Sequence, residues 1–184
     1  IIGSRISIES SSKVWNACGL RIGGIVTDNQ DYHKKAVSEY TANLCANVIG
    51  QEIFGALAHE SHYELEKWYQ SQRDYYRELM LPLRKNLLTL IPGLIVTNPE
   101  AAIYFIIDFK NICNDSFNAK DFVQFCALKG KVNIEGKDYT LLLAPMAGFY
   151  SDPDKGKTQM RVAMVEPMYL IEKMPQLLSE LYNS

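Results

Sequence analysis

The amphipathic stretch between Ser61 and Leu90 constrains this chain more than any other feature. Leu65, Trp68, Tyr69, Gln72, Tyr76, Leu79, Met80, Leu83 and Leu87 recur at helical spacing. At 1.5 Å per residue a single helix over that span would be roughly 45 Å long. Ser61 stands where an N-cap belongs, with Glu64 three residues on as its capping-box partner. Pro82 removes a backbone donor and its ring crowds the preceding turn, so a kink or a division is expected near Leu81. The chain also changes character at about Ser61, with Gly-rich strands and packed helices before it and a mixed α+β pattern after it. That change places a domain boundary between residues 1–60 and 61–184.

Upstream of the boundary, Ser4–Glu9 alternates polar and apolar residues as a strand does, and Leu20–Thr27 reads as a second strand. Gly23 and Gly24 inside that second strand suggest that another backbone approaches closely. From Gln30 a helical stripe runs through Tyr32, Val37, Tyr40, Leu44, Cys45 and Val48, and a second helix fits Glu52–His59. Downstream, strands are expected over Ala101–Phe109, within Val132–Pro145 around Glu135-Gly136, and over Thr158–Val165. Helices are expected over Ala119–Lys129 and from Pro167 to the end. The fold class is therefore α/β, with an α+β second part.

Composition removes several functions. Nineteen basic against twenty-one acidic residues give a net charge of -2, so no basic field favours nucleic acid or an anionic membrane. The longest uncharged apolar runs, such as Leu141–Tyr150, fall well short of the ~20 residues of a membrane span. Cys18, Cys45, Cys113 and Cys126 lie far apart, without the paired spacing of a zinc site, and fit reduced thiols in a cytoplasmic protein. His59 and His62 have no third ligand at convincing spacing, so no metal site is expected. The aromatic cluster from Tyr63 to Tyr76 has too little basic charge around it to stack nucleobases.

Chemistry concentrates in Ser10–Val26. Between Glu9 and Asp28 the only charged side chains are Lys13 and Arg21, both positive, in a neutral, Gly-rich setting. If buried there unpaired, they would cost several kcal/mol, so an anionic or covalent partner is expected. Ser10 stands three residues before Lys13, Arg21 eight after it, and Gly23 two residues further.

This compound spacing resembles the cofactor-lysine signature of the class I/II aminotransferases, the pyridoxal-phosphate enzymes of aspartate aminotransferase fold (fold type I). Leu143–Tyr150 followed by Gly156–Ala163 resembles the closing strands of the same family. The resemblance implies that residues 1–60 are the end of a large cofactor-binding domain. It implies that 61–184 are the long connecting helix and the small domain, a mainly antiparallel sheet covered by helices. Lys13 would carry pyridoxal 5′-phosphate as a Schiff base and move the proton during transfer of an amino group between an amino acid and a 2-oxo acid. Ser10 and Arg21 would hold the cofactor phosphate, and Arg161 the substrate α-carboxylate. Phe149 and Tyr150 fall where the family places residues near the substrate entrance.

The family's remaining cofactor contacts lie upstream of the lysine, so the resemblance implies half of an active site, inactive alone and completed by a missing N-terminal half and by a homodimer partner. Two alternatives share the pattern: a carbon–sulfur β-lyase of the same fold, and a non-enzymatic effector domain of a transcription regulator.

Overall fold

The computed structural model describes residues 3–43 and 46–184. The chain divides into two compact units, Ile1–Lys67 and Trp68–Ser184.

In the first unit, β1 (Ile6–Ser10) and β2 (Gly23–Thr27) form a two-stranded antiparallel hairpin, with Ile6 opposite Thr27 and Ser10 opposite Gly23. Between them lie a single helical turn, α1 (Ser11–Val14), and a 3-10 turn at Cys18–Leu20. The second strand is shorter than its sequence suggests. Leu20 closes the 3-10 turn and Arg21 takes a left-handed conformation (φ 53°, ψ 42°), so extended backbone resumes only at Gly23. A Cβ at Gly23 would sit 2.7 Å from the Glu9 carbonyl oxygen, whereas one at Gly24 would meet nothing, so close approach holds for the first glycine alone.

Helix α2 (Gln30–Thr41) is capped by Asn29, whose side chain accepts from the Tyr32 amide at 2.9 Å. Helix α3 (Val48–Gly55) starts earlier than the sequence pattern suggests and hands over to a 3-10 turn at Ala56–His59. Asn47 caps α3 and also donates from its side chain to the Leu20 carbonyl at 3.3 Å. Gly50 lets α3 come close, since a Cβ there would be 2.7 Å from that same carbonyl. Leu44 and Cys45, expected on the helical stripe, lie outside the described residues.

Helix α4 (His62–Leu90), which starts in the first unit and continues as part of the second, runs unbroken through Pro82, not divided near Leu81. Its N-terminus is capped by the Ser61 hydroxyl, which accepts from the Glu64 amide at 3.2 Å. Leu79, Met80, Leu83 and Leu87 are buried on both sides of the proline, and this packing offsets the missing hydrogen bond.

A four-stranded antiparallel sheet has the order β3 (Ile95–Val96), β4 (Tyr104–Asp108), β8 (Gln159–Ala163), β7 (Ala144–Pro145). A separate hairpin pairs β5 (Val132–Ile134) with β6 (Lys137–Tyr139) through Glu135 and Gly136, both at positive φ (54° and 81°), as a tight two-residue turn requires. Helix α5 (Ala119–Leu128) precedes that hairpin. The closing helix is interrupted, giving α6 (Met168–Ile171) and α7 (Met174–Tyr182). Pro175 has no amide hydrogen to give to the Ile171 carbonyl, which accounts for the break.

Alternation splits the sheet into two faces. Phe105 and Ile107 of β4 with Met160 and Val162 of β8 are buried in the core beside Leu83 and Leu87 of α4 and Leu178 of α7. Phe109 is fully buried, its ring 4.7 Å from Tyr182 and 5.3 Å from Phe117. Each such side chain contributes about 1.5–3 kcal/mol on burial. The other face carries Tyr104, Ile106 and Asp108 from β4 with Gln159, Arg161 and Ala163 from β8. No described helix is long and apolar enough to cross a membrane.

Candidate functional site

Ser10, Lys13 and Arg21 all lie on or beside the connection that closes the hairpin. Ser10 is the last residue of β1 and the cap of α1, its Oγ accepting the Ser12 amide at 3.2 Å. That bond uses an oxygen lone pair and leaves the hydroxyl proton available to an anion. Ser11 fastens the turn to the returning strand. It is buried, and both its amide and its hydroxyl donate to the Ile22 carbonyl, at 3.0 and 2.9 Å. The paired Ser10 and Gly23 thus bring the α1 turn alongside the segment that carries Arg21.

Arg21 donates one guanidinium N–H to the Cys18 carbonyl at 2.8 Å, which fixes the side chain over its own turn and leaves four of its five donors for other acceptors. Its left-handed backbone is a strained conformation for a residue other than glycine, and Asn16 shares it (φ 50°). Trp15 packs edge-on against Phe54 at 5.8 Å, tying the loop after Lys13 to α3. Lys13 and Arg21 are both exposed, so within this chain neither carries the burial penalty that their neutral surroundings suggest. The β1–β2 connection thus carries an amine, a hydroxyl donor and a guanidinium, groups that suit a phosphorylated aldehyde.

Arg161 belongs to the second unit, in β8 opposite Ile106 of β4 and Ala144 of β7. Its guanidinium carbon lies 4.4 Å from the Tyr104 ring centre and 5.1 Å from that of Phe149, both within cation–π range. Among the described residues no carboxylate pairs with it, and its buried Nε has no hydrogen-bond partner. An unsatisfied buried donor of this kind costs about 1–3 kcal/mol until an acceptor reaches it. Arg161 also borders a cavity of about 570 Å³, with Leu143, Glu166 and Leu170 among its other walls.

The sequence matches the family described as aminotransferase class I and II over residues 4–145. The chain belongs to this family. Solved aminotransferase structures share its fold. An α-aminoadipate aminotransferase from Thermus thermophilus, complexed with N-(5′-phosphopyridoxyl)-L-leucine, superposes with a TM-score of 0.75 at 17% identity, over 97% of this chain and 41% of that one. A kynurenine aminotransferase from Pyrococcus horikoshii gives 0.70 at 24%, over 98% and 41%. Cystalysin from Treponema denticola, whose structure contains pyridoxal 5′-phosphate, gives 0.77 at 15%, over 98% and 42%. The chain thus spans about two-fifths of the length of these aminotransferase-fold proteins. Among curated proteins none matches the sequence significantly.

Three residues that shape these two neighbourhoods escaped the sequence reading. Ser11 is one serine among three in a row, and nothing marks it as the buried one. Tyr104 and Asp108 interrupt an apolar strand at even spacing, so their common polar face was available from alternation alone. Asp108 is buried and accepts from Thr158 Oγ1 at 2.6 Å, Gln159 Nε2 at 3.0 Å and the Lys110 amide at 3.0 Å.

Proposed function

We propose that the protein containing this chain is a pyridoxal-5′-phosphate-dependent aminotransferase that moves an amino group between an amino acid and a 2-oxo acid. The observation that carries this reading is the turn joining Ser10, Lys13 and Arg21, set at the end of a hairpin in a chain of this family.

In this reading residues 1–60 end the cofactor-binding domain and 61–184 form the small domain. Lys13 Nζ is the amine to which the cofactor aldehyde attaches. The Ser10 hydroxyl, whose oxygen accepts the Ser12 amide, would give its proton to the cofactor phosphate. Arg21 neutralises that phosphate, held in place by the Cys18 carbonyl. When bound, the pyridine ring supplies a sink for the electron pair left as the substrate Cα loses its proton. Once the substrate's own amine has taken its place on the cofactor, the freed Lys13 amine would be the base that takes the Cα proton and gives it back later in the transfer. Arg161 receives the substrate α-carboxylate, whose planar shape suits a two-pronged guanidinium contact. Residues outside this chain and a second subunit of a homodimer complete the site.

The test is an assay of the protein as its gene encodes it, with a panel of amino acids and with or without an acceptor 2-oxo acid. Amino transfer that needs both the acceptor and pyridoxal phosphate is the expected outcome. Pyruvate and ammonia released without an acceptor would replace this reading with a β-lyase, and no turnover of any amino acid would leave a non-enzymatic domain.

A further inference from the structure

We infer that Tyr104 and Phe149 are positioning residues that hold Arg161 ready for a carboxylate, which rests on the proposed role of Arg161 as the carboxylate receptor. A free arginine side chain samples many rotamers and loses that freedom when it binds an anion. Here two aromatic rings already lie against the guanidinium, at 4.4 and 5.1 Å, and the donor at Nε has no partner within the described residues. Stacking on a ring face satisfies the cation's charge without using an N–H, so the donors are left for a planar anion arriving in the guanidinium plane.

Each ring is held by its own element. Tyr104 sits in β4 on the same face as Arg161, in the register that pairs Ile106 with it. Phe149 is 56% exposed, so the core does not hold it. Its 3-10 turn (Ala147–Phe149) is instead tied to β8. The Met146 amide donates to the Gln159 carbonyl at 3.0 Å, and the Tyr150 hydroxyl donates to Gln159 Oε1 at 2.8 Å. Gln159 is itself fixed by the buried Asp108. Gly156 closes the other side, where a Cβ would lie 2.5 Å from the Met146 carbonyl carbon. The loop therefore presents Phe149 from an anchor two residues away from Arg161 on the same strand.

The test follows the Arg161 Nε–H signal by nitrogen-15 NMR in the protein as its gene encodes it while propionate is added. In the wild type the signal should be slow to exchange with water and should shift on titration. Phe149→Leu and Tyr104→Leu should each weaken propionate binding about tenfold, which is about 1.4 kcal/mol. Phe149→Tyr and Tyr104→Phe, which keep the ring, should stay within about twofold of the wild type. Because Phe149 is largely exposed, its leucine variant keeps the fold, and unchanged amide spectra elsewhere verify this. Arg161→Lys serves as the control for the receptor role, read as the loss of all propionate-dependent shifts in the surrounding amides. If those shifts occur and the leucine variants bind propionate as the wild type does, the positioning role is overturned and the receptor role stands. If the wild-type Arg161 signal ignores propionate, the receptor role and the positioning role fall together, while attachment of the cofactor at Lys13 is untouched.

Discussion

Within this chain alone, the two units bury very different amounts of their own apolar surface. Every buried hydrophobic side chain among the described residues lies between Leu79 and Leu181, and in the first unit only Ser11 and Gly50 are buried. The hairpin of the first unit exposes apolar residues on both faces, Ile8 at 79% and Val26 at 63%. Its shape comes from local hydrogen bonds: the Ser10 cap, the Ser11 bonds to Ile22, and the Asn29 and Asn47 caps. The second unit is fixed by its core. The proposed cofactor residues are thus carried by the part with the least burial of its own, and the proposed carboxylate receptor by the part with the most.

Four measurements sharpen or break this contrast. The largest effect is expected from Phe109→Ala, which should lose about 3–5 kcal/mol of unfolding free energy, while Ile8→Ala in the hairpin, tested in this chain without the rest of its domain, should stay within about 0.5 kcal/mol. Equal losses in denaturant titrations would end the distinction. Asp108→Ala strands the three donors that now reach the carboxylate and should lose about 1–3 kcal/mol; an unchanged midpoint would mean that water replaces the side chain without penalty. Gly23→Ala forces a Cβ against the Glu9 carbonyl and should shift the hairpin amides and weaken cofactor loading, whereas Gly24→Ala has open space and should do neither. Matching spectra for the two variants would show that the hairpin has no fixed register next to its connecting loop.

The smallest effect concerns Asp28. Backbone amides of Gly3 and Arg5 donate to its carboxylate and hold its pKa below the ordinary 3.8. A lowered folded-state value means that this contribution is present above the ordinary value and disappears as the pH falls through the folded one. An NMR titration of the Asp28 carboxyl should therefore show a midpoint below 3.8, with the Arg5 amide shifting in step. A midpoint at or above that value would remove the contacts from the account.

Much of this was legible in the sequence because periodicity and capping are local. The Ser61 cap, the α4 stripe, the Ile107 and Phe109 core positions and the Glu135-Gly136 turn all follow from neighbours a few residues apart. The Lys13 segment was singled out by resemblance, because Ser10, Lys13, Arg21 and Gly23 match the spacing of the family's cofactor-lysine signature. The missed features depend on the fold's closure. Pro82 is tolerated because buried leucines flank it, Arg21 is left-handed because the turn before it must join β2, and Tyr104 matters because β4 and β8 pair in one register. The Phe149 contact with Arg161 combines a loop and a strand, and no linear pattern encodes it.

The central claim is that the amine of Lys13 carries the cofactor, and it is tested most directly by reducing the protein, as its gene encodes it, with borohydride in the presence of pyridoxal 5′-phosphate and mapping the labelled peptide. The account predicts one stable pyridoxyl label, on Lys13, that is lost in Lys13→Ala. A label on any other lysine, or none at all, would contradict it.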